Sequence, residues 1–88
     1  MTTRKMRVNE EPQRVTGGNE TAVIQFNGTV ALCDSAEKPA TGAAAMYFSS
    51  DGRYQTLTIT PPFRAWIWSA VPEKTVDVVI SDWTESVS

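Results

Sequence analysis

Trp66 and Trp68 stand two residues apart in the run Phe63-Arg64-Ala65-Trp66-Ile67-Trp68-Ser69-Ala70. On a β-strand that spacing sends both indoles to one face, with Arg64 beside them. Placed outward, the pair could stack on sugar rings, receive a partner's side chains, or be covered by a second copy of the chain. Placed inward, the indoles would anchor a small core and Ile67 would face out. The sequence satisfies both orientations.

Groups able to do covalent or acid–base chemistry are few. The chain has no His, which removes the commonest general base, metal ligand and pH switch near neutrality. Cys33 is the only cysteine and lies inside an apolar run without a neighbouring base, so it reads as a buried filler. A single cysteine also excludes an internal disulfide and a Cys-rich zinc site. Asp77 and Asp82 share one candidate strand, but five residues apart they project to opposite faces and read as solvated acids. Gly17-Gly18 lacks the Gly-Lys-Ser/Thr ending of a phosphate loop, and Asp34 with Glu37 offers too few ligands for a cation. No catalytic residue, metal or cofactor is expected, and the protein reads as a non-enzyme.

The elements that would position these residues are strands. Thr and Val are abundant, and no long window repeats apolar residues at helical spacing. Short runs are separated by Gly-Gly, Asn-Gly, Asp-Gly, Pro-Pro and Pro-Glu-Lys, the rhythm of an all-β sandwich or barrel of about six to eight strands. Asn27-Gly28 between Thr21–Phe26 and Thr29–Cys33 predicts a type I′ hairpin, apolar on both faces. A second hairpin is expected around Asp51-Gly52, with Ala44, Met46 and Phe48 facing Ile59, Leu57 and Gln55. Tyr47 and Tyr54 fall on its wet face, where amphipathic rings suit an interface. A third hairpin turns at 71–74 and sets Ala65 and Ile67 against Ile80 and Val78, so that Trp66, Trp68 and Arg64 share a face with Asp77. Residues 82–88 read as a loose tail.

At 88 residues and 9.7 kDa the chain is one domain, expected as residues 19–88 behind an N-terminal arm or edge strand over 1–18. Residues 1–14 carry four basic against two acidic side chains, while the remainder carries four against eight. Arg4, Lys5 and Arg7 would make a flexible arm a tether for an acidic surface, though a frayed, solvated terminus explains the same charges. An overall charge of −2 gives no nucleic-acid footprint. No signal peptide or membrane-spanning run is visible, so Asn19-Glu20-Thr21 and Asn27-Gly28-Thr29 read as chance glycosylation patterns. The expected location is the cytoplasm or a particle assembled there.

A domain of this size buries little surface and has neither disulfide nor metal to brace it, which makes partners an expectation. In general composition the chain is similar to small accessory proteins of bacteriophage particles: short, rich in Thr and Ala, and without an export signal or catalytic set. That resemblance implies a virion decoration, cement or tail subunit, self-associating as an oligomer, with a trimer the expected form, and bound to a larger protein assembly. Trp66, Trp68, Arg64, Tyr47, Tyr54 and Asp77 are its candidate contact residues. Two other functions fit the same residues: a carbohydrate-binding domain stacking a glycan on the aromatic rings, and a small inhibitor that blocks a host or competitor enzyme.

Overall fold

The computed structural model describes residues 2–40, 43–50, 52–71 and 73–84. These residues form eight strands and no helix: β1 (Thr2–Val8), β2 (Gln13–Arg14), β3 (Glu20–Phe26), β4 (Thr29–Asp34), β5 (Met46–Ser49), β6 (Gln55–Ile59), β7 (Ala65–Ser69) and β8 (Val76–Thr84). They make two antiparallel four-stranded sheets, a first of order β1-β8-β3-β6 and a second of order β2-β7-β4-β5. The two-layer all-β class expected from the turn spacing is therefore what forms.

The path of the chain through those layers differs from a series of hairpins. All three expected hairpins are crossings between sheets: β3 passes to β4 through Asn27-Gly28, β5 to β6 through 50–54, and β7 to β8 through 70–75. The turn residues Asp51 and Pro72 lie outside the described residues. Burial explains the first crossing. A two-residue hairpin would put Ala22, Ile24 and Phe26 on one face and Val30 and Leu32 on the other. Sending β3 and β4 to different layers turns both sets toward one interior, and all five are buried. The turn agrees, since Gly28 has φ 142° while Asn27 stays at negative φ, so no type I′ turn exists. A Cβ on Gly28 would also meet Val76 Cγ2 at 3.0 Å.

What replaces the hairpins is one long ribbon. β1 pairs with β8, β2 with β7, β3 with β6 and β4 with β5. The ladders run from Thr2↔Asp82 to Thr29↔Ser49, all centred in sequence on residues 39–42. The ribbon is rolled so that β3 also lies on β8 and β4 on β7. Eight strands in two sheets wound in this way are a jelly roll.

Residues 2–8, read as part of an arm or edge strand, are the edge strand β1, paired with β8 along its whole length. Val8 and Val15 are core residues, so this segment is not a free tether. Asp82–Thr84, read as tail, continue β8 against Glu20–Ala22; residues 85–88 lie outside the described part. The core is Val8, Val15, Ala22, Ile24, Phe26, Val30, Leu32, Ile59, Ala65, Ile67, Val76, Val78 and Ile80. It fills a flat body of 45 × 28 × 16 Å, two layers thick.

Candidate functional site

β7 decides where the tryptophans go. Ala65, Ile67 and Ser69 are buried toward the core, while Trp66 and Trp68 are half-buried on the outer face of the second sheet, with Arg64 exposed at the start of the same column. Of the two orientations compatible with the sequence, the outward one is present. A single small residue separates each indole from the next strand over. Arg14, Trp66 and Cys33 share one row; Trp68, Ala31 and Tyr47 share the next. Ala31 and Cys33 belong to this outer face, yet Ala31 is fully buried and Cys33 is 8% exposed. Ala31 lies between the rings of Trp68 and Tyr47, and Cys33 lies beside Trp66, so large side chains stand over small ones and make a ridged aromatic surface.

The loop after β4 builds walls on that surface. The Trp66 Nε1–H donates to the Ser35 carbonyl at 2.9 Å, which fixes the plane of the indole. Lys38 forms an ion pair with Glu11, tying the loop to the segment between β1 and β2. Between them opens a groove of about 560 Å³ lined by Trp68, Tyr47, Glu10, Glu11, Lys38 and Pro12. Glu10 is held in place, one carboxylate oxygen accepting the Glu73 backbone N–H at 2.7 Å. A smaller pocket of about 230 Å³ lies at the other end of the tryptophan column, between Arg14, Arg64, Trp66, Gly17 and Ser35.

A third feature lies at the side of the sandwich where β5 and β6 are the outermost strands. A cleft of about 220 Å³ enters the core there between Met46, Phe48, Leu57, Ile59, Phe63 and Leu32. Met46 is 48% exposed and Tyr47 is 65% exposed, and the nearby Tyr54, in the link between the two strands, is 62% exposed.

Two sets of expected contact residues lie elsewhere. Asp77 is on the outer face of the first sheet, away from the tryptophans, because β7 and β8 belong to different layers. There it receives Arg7 Nε at 3.1 Å and Lys5 Nζ at 3.8 Å. Arg4 donates to Asp82 at 2.7 Å. Arg4, Lys5 and Arg7 thus lie on a paired strand and have carboxylate partners within their own domain. Tyr54 lines none of the three openings. In the other direction, Glu10, Glu11, Lys38 and Arg14 were not singled out from the sequence, since only the rolled ribbon brings residues near 10 and near 38 onto the face of β7.

Cys33 is free and buried, and burial pushes its thiol up from the ordinary range, with the Asp34 carboxylate adding to the effect. Among the described residues no group of three or more Cys, Asp and Glu is placed to hold a metal ion, and no helix is long and apolar enough to cross a membrane. Comparison with protein-family models, with curated proteins and with solved structures finds no match for this chain.

Proposed function

We propose that the protein is a non-enzymatic assembly module that binds copies of itself and a larger protein structure, as a decoration, cement or tail subunit of a virus particle. The observation that carries this reading is the β5–β6 side. Met46–Ser49 and Gln55–Ile59 contain no charged residue and no proline, the usual guards of an edge strand. An unguarded edge with apolar side chains beside an open cleft accepts another strand, adding main-chain hydrogen bonds and burying rings. β5 belongs to the second sheet and β6 to the first, so the β5 edge of one copy can meet the β6 edge of the next. Such a head-to-tail contact closes into a ring when the rotation allows, and a trimer is the form we expect. Jelly rolls recur in capsid proteins, an analogy of fold that agrees with a particle role. The lack of His and the burial of the one thiol agree with a function that involves no catalysis.

Sedimentation velocity and light scattering over a range of concentrations test the reading. A discrete oligomer that dissociates on dilution is expected. A strict monomer at the highest concentration, with no protein retained on an immobilised copy, overturns it.

A further inference from the structure

The outer face of the second sheet carries a different feature from the assembly side, and it has the chemistry of a ligand site. Along β7, Arg64, Trp66 and Trp68 project from one face in a single column, spanning about 13 Å at a rise of roughly 3.3 Å per residue. At one end is the groove floored by Trp68 and Tyr47, with carboxylates from Glu10 and Glu11 and the Lys38 ammonium at its rim. Flat apolar rings surrounded by fixed hydrogen-bonding groups suit a pyranose, whose C–H face packs on an indole while its hydroxyls find acceptors and donors. The volume, about 560 Å³, falls in the range of small-molecule sites.

At the other end two guanidiniums share one pocket. Gly17 and Gly18 make this possible. A Cβ on Gly17 would stand 2.5 Å from Arg14 Nη2, and a Cβ on Gly18 would stand 3.2 Å from Arg64 Cγ and 3.3 Å from Arg64 Nε. The paired glycines therefore leave room for the side chains of Arg14 and Arg64, which both line the pocket beside Trp66. Among the described residues Arg4, Lys5, Arg7 and Lys38 have carboxylate partners within 4.0 Å. Arg14 and Arg64 have none, as is also true of the exposed Arg53 and Lys74, but of these four only Arg14 and Arg64 line a pocket with a tryptophan. Two carboxylates stand close by and are held by backbone amides: Glu20 accepts the Gly17 N–H at 2.7 Å, and Asp34 accepts the Arg64 N–H at 2.8 Å. Neither lines the pocket. Paired guanidiniums next to an aromatic face recognise a carboxylate bidentately.

We propose that this face binds an acidic oligosaccharide. One sugar ring stacks in the Trp68–Tyr47 groove, and the carboxylate of a uronic acid residue further along the chain sits between Arg14 and Arg64. Trp66, fixed by Ser35, forms the floor between the two positions. The site and the β5–β6 assembly side use different residues, Tyr47 excepted, so either proposal can fail alone.

The test is titration with oligomers of galacturonate, alginate and hyaluronan, with neutral galacto-oligosaccharides as the comparison, read by tryptophan fluorescence and calorimetry. At least one uronate series is expected to shift the fluorescence and to bind roughly tenfold or more tightly than the neutral oligomers, the effect of one good charge-assisted contact. Arg64→Gln, at an exposed position, should erase that preference and leave neutral-sugar binding in place. Gly17→Ala should do the same by displacing the flexible end of Arg14. Trp68→Ala should abolish both, with its thermal melt checked to show that it folds. No response to any uronate series, equal affinity for acidic and neutral oligomers, or indifference to Arg64→Gln overturns the proposal. Oligomeric state measured on the same Arg64→Gln sample should be unchanged.

Discussion

The two open sides of this sandwich are built to opposite rules. On one side the outermost strands are β1 and β2. β1 is long but bears Arg4, Lys5 and Arg7, and β2 has only two residues. Charge and shortness are both ways to keep an edge from pairing with another chain. On the other side β5 and β6 have neither charge nor proline, and Met46 and Tyr47 stand exposed beside a cleft into the core. In the proposed assembly role, guarding one side and leaving the other bare gives association a single direction. The same cations also have partners at home, Arg4 on Asp82 and Lys5 and Arg7 on Asp77, both on β8.

The largest effect should come from giving the bare side the guard of the other. Met46→Lys with Thr58→Lys places a charge on each edge. The first stands at the half-exposed mouth of the cleft, where a long side chain can turn out to solvent, and the second on an exposed position of β6. The proposed oligomer should dissociate to monomers in sedimentation, with the association constant falling on the order of 100-fold or more, while the thermal midpoint of the monomer stays close to the parent's. An oligomer that survives these two lysines assembles through some other surface.

A second prediction concerns the crossings that create the two sides. Gly28 sits at φ 142° with Val76 close against it. Gly28→Ala combines an unfavourable backbone with a contact that must give, and should cost about 1–3 kcal/mol. In a domain of this size each kcal/mol moves the melting midpoint by roughly 4–8 °C. The equivalent change at Gly52, where a Cβ meets nothing within 4 Å, should cost less, since only the backbone term at φ 77° applies. Equal losses at the two glycines would mean that the approach of Val76 is unimportant.

These crossings mark where the sequence stopped being readable. Period-2 alternation and turn spacing located the strands well, because burial of one face acts on each strand alone. Which strand pairs with which depends on contacts between residues far apart. Asn27-Gly28 has the composition of a hairpin turn, but Ile24 and Phe26 on one side of it and Val30 and Leu32 on the other can all be buried only across layers. The two-faced apolar character of that segment was visible in the sequence and was the sign of the crossing. For the site, the i, i+2 spacing placed Trp66, Trp68 and Arg64 on one face correctly. It could not place Glu11 beside Lys38, or exclude Asp77, since those relations follow from the rolled ribbon.

Cys33 offers a smaller probe of the aromatic face. With the thiol raised by burial and by Asp34, the neutral form prevails further into the alkaline range than in an unfolded chain. The unfolded state then ionises first as pH rises, so folding stability contributed by the neutral thiol is intact below the ordinary thiol range and declines above it. A Cys33→Ala variant should lack that alkaline decline. Native Cys33 should also react slowly with a thiol reagent, and faster in Trp66→Ala, where the ring next to it in register is gone. Equal rates in the two proteins would show that the indole does not cover it.

The smallest change tests whether the guarded side works by charge at the edge or by ion pairs within the domain. Asp77 is about half-exposed, and its partners Lys5 and Arg7 are more exposed still. Exposed pairs of this kind contribute little, so Asp77→Asn should alter stability by no more than about 0.5 kcal/mol, less at high salt. It leaves both cations on β1 and makes that edge more positive, so a guard based on repulsion is strengthened and the oligomer keeps its size. Had the ion pairs themselves been the guard, by locking β1 against the sheet, their loss would free the strand and open a second direction of growth, visible as species larger than the parent oligomer. Charge along an edge acts between molecules whether or not it is paired at home, and on that ground no larger species should form.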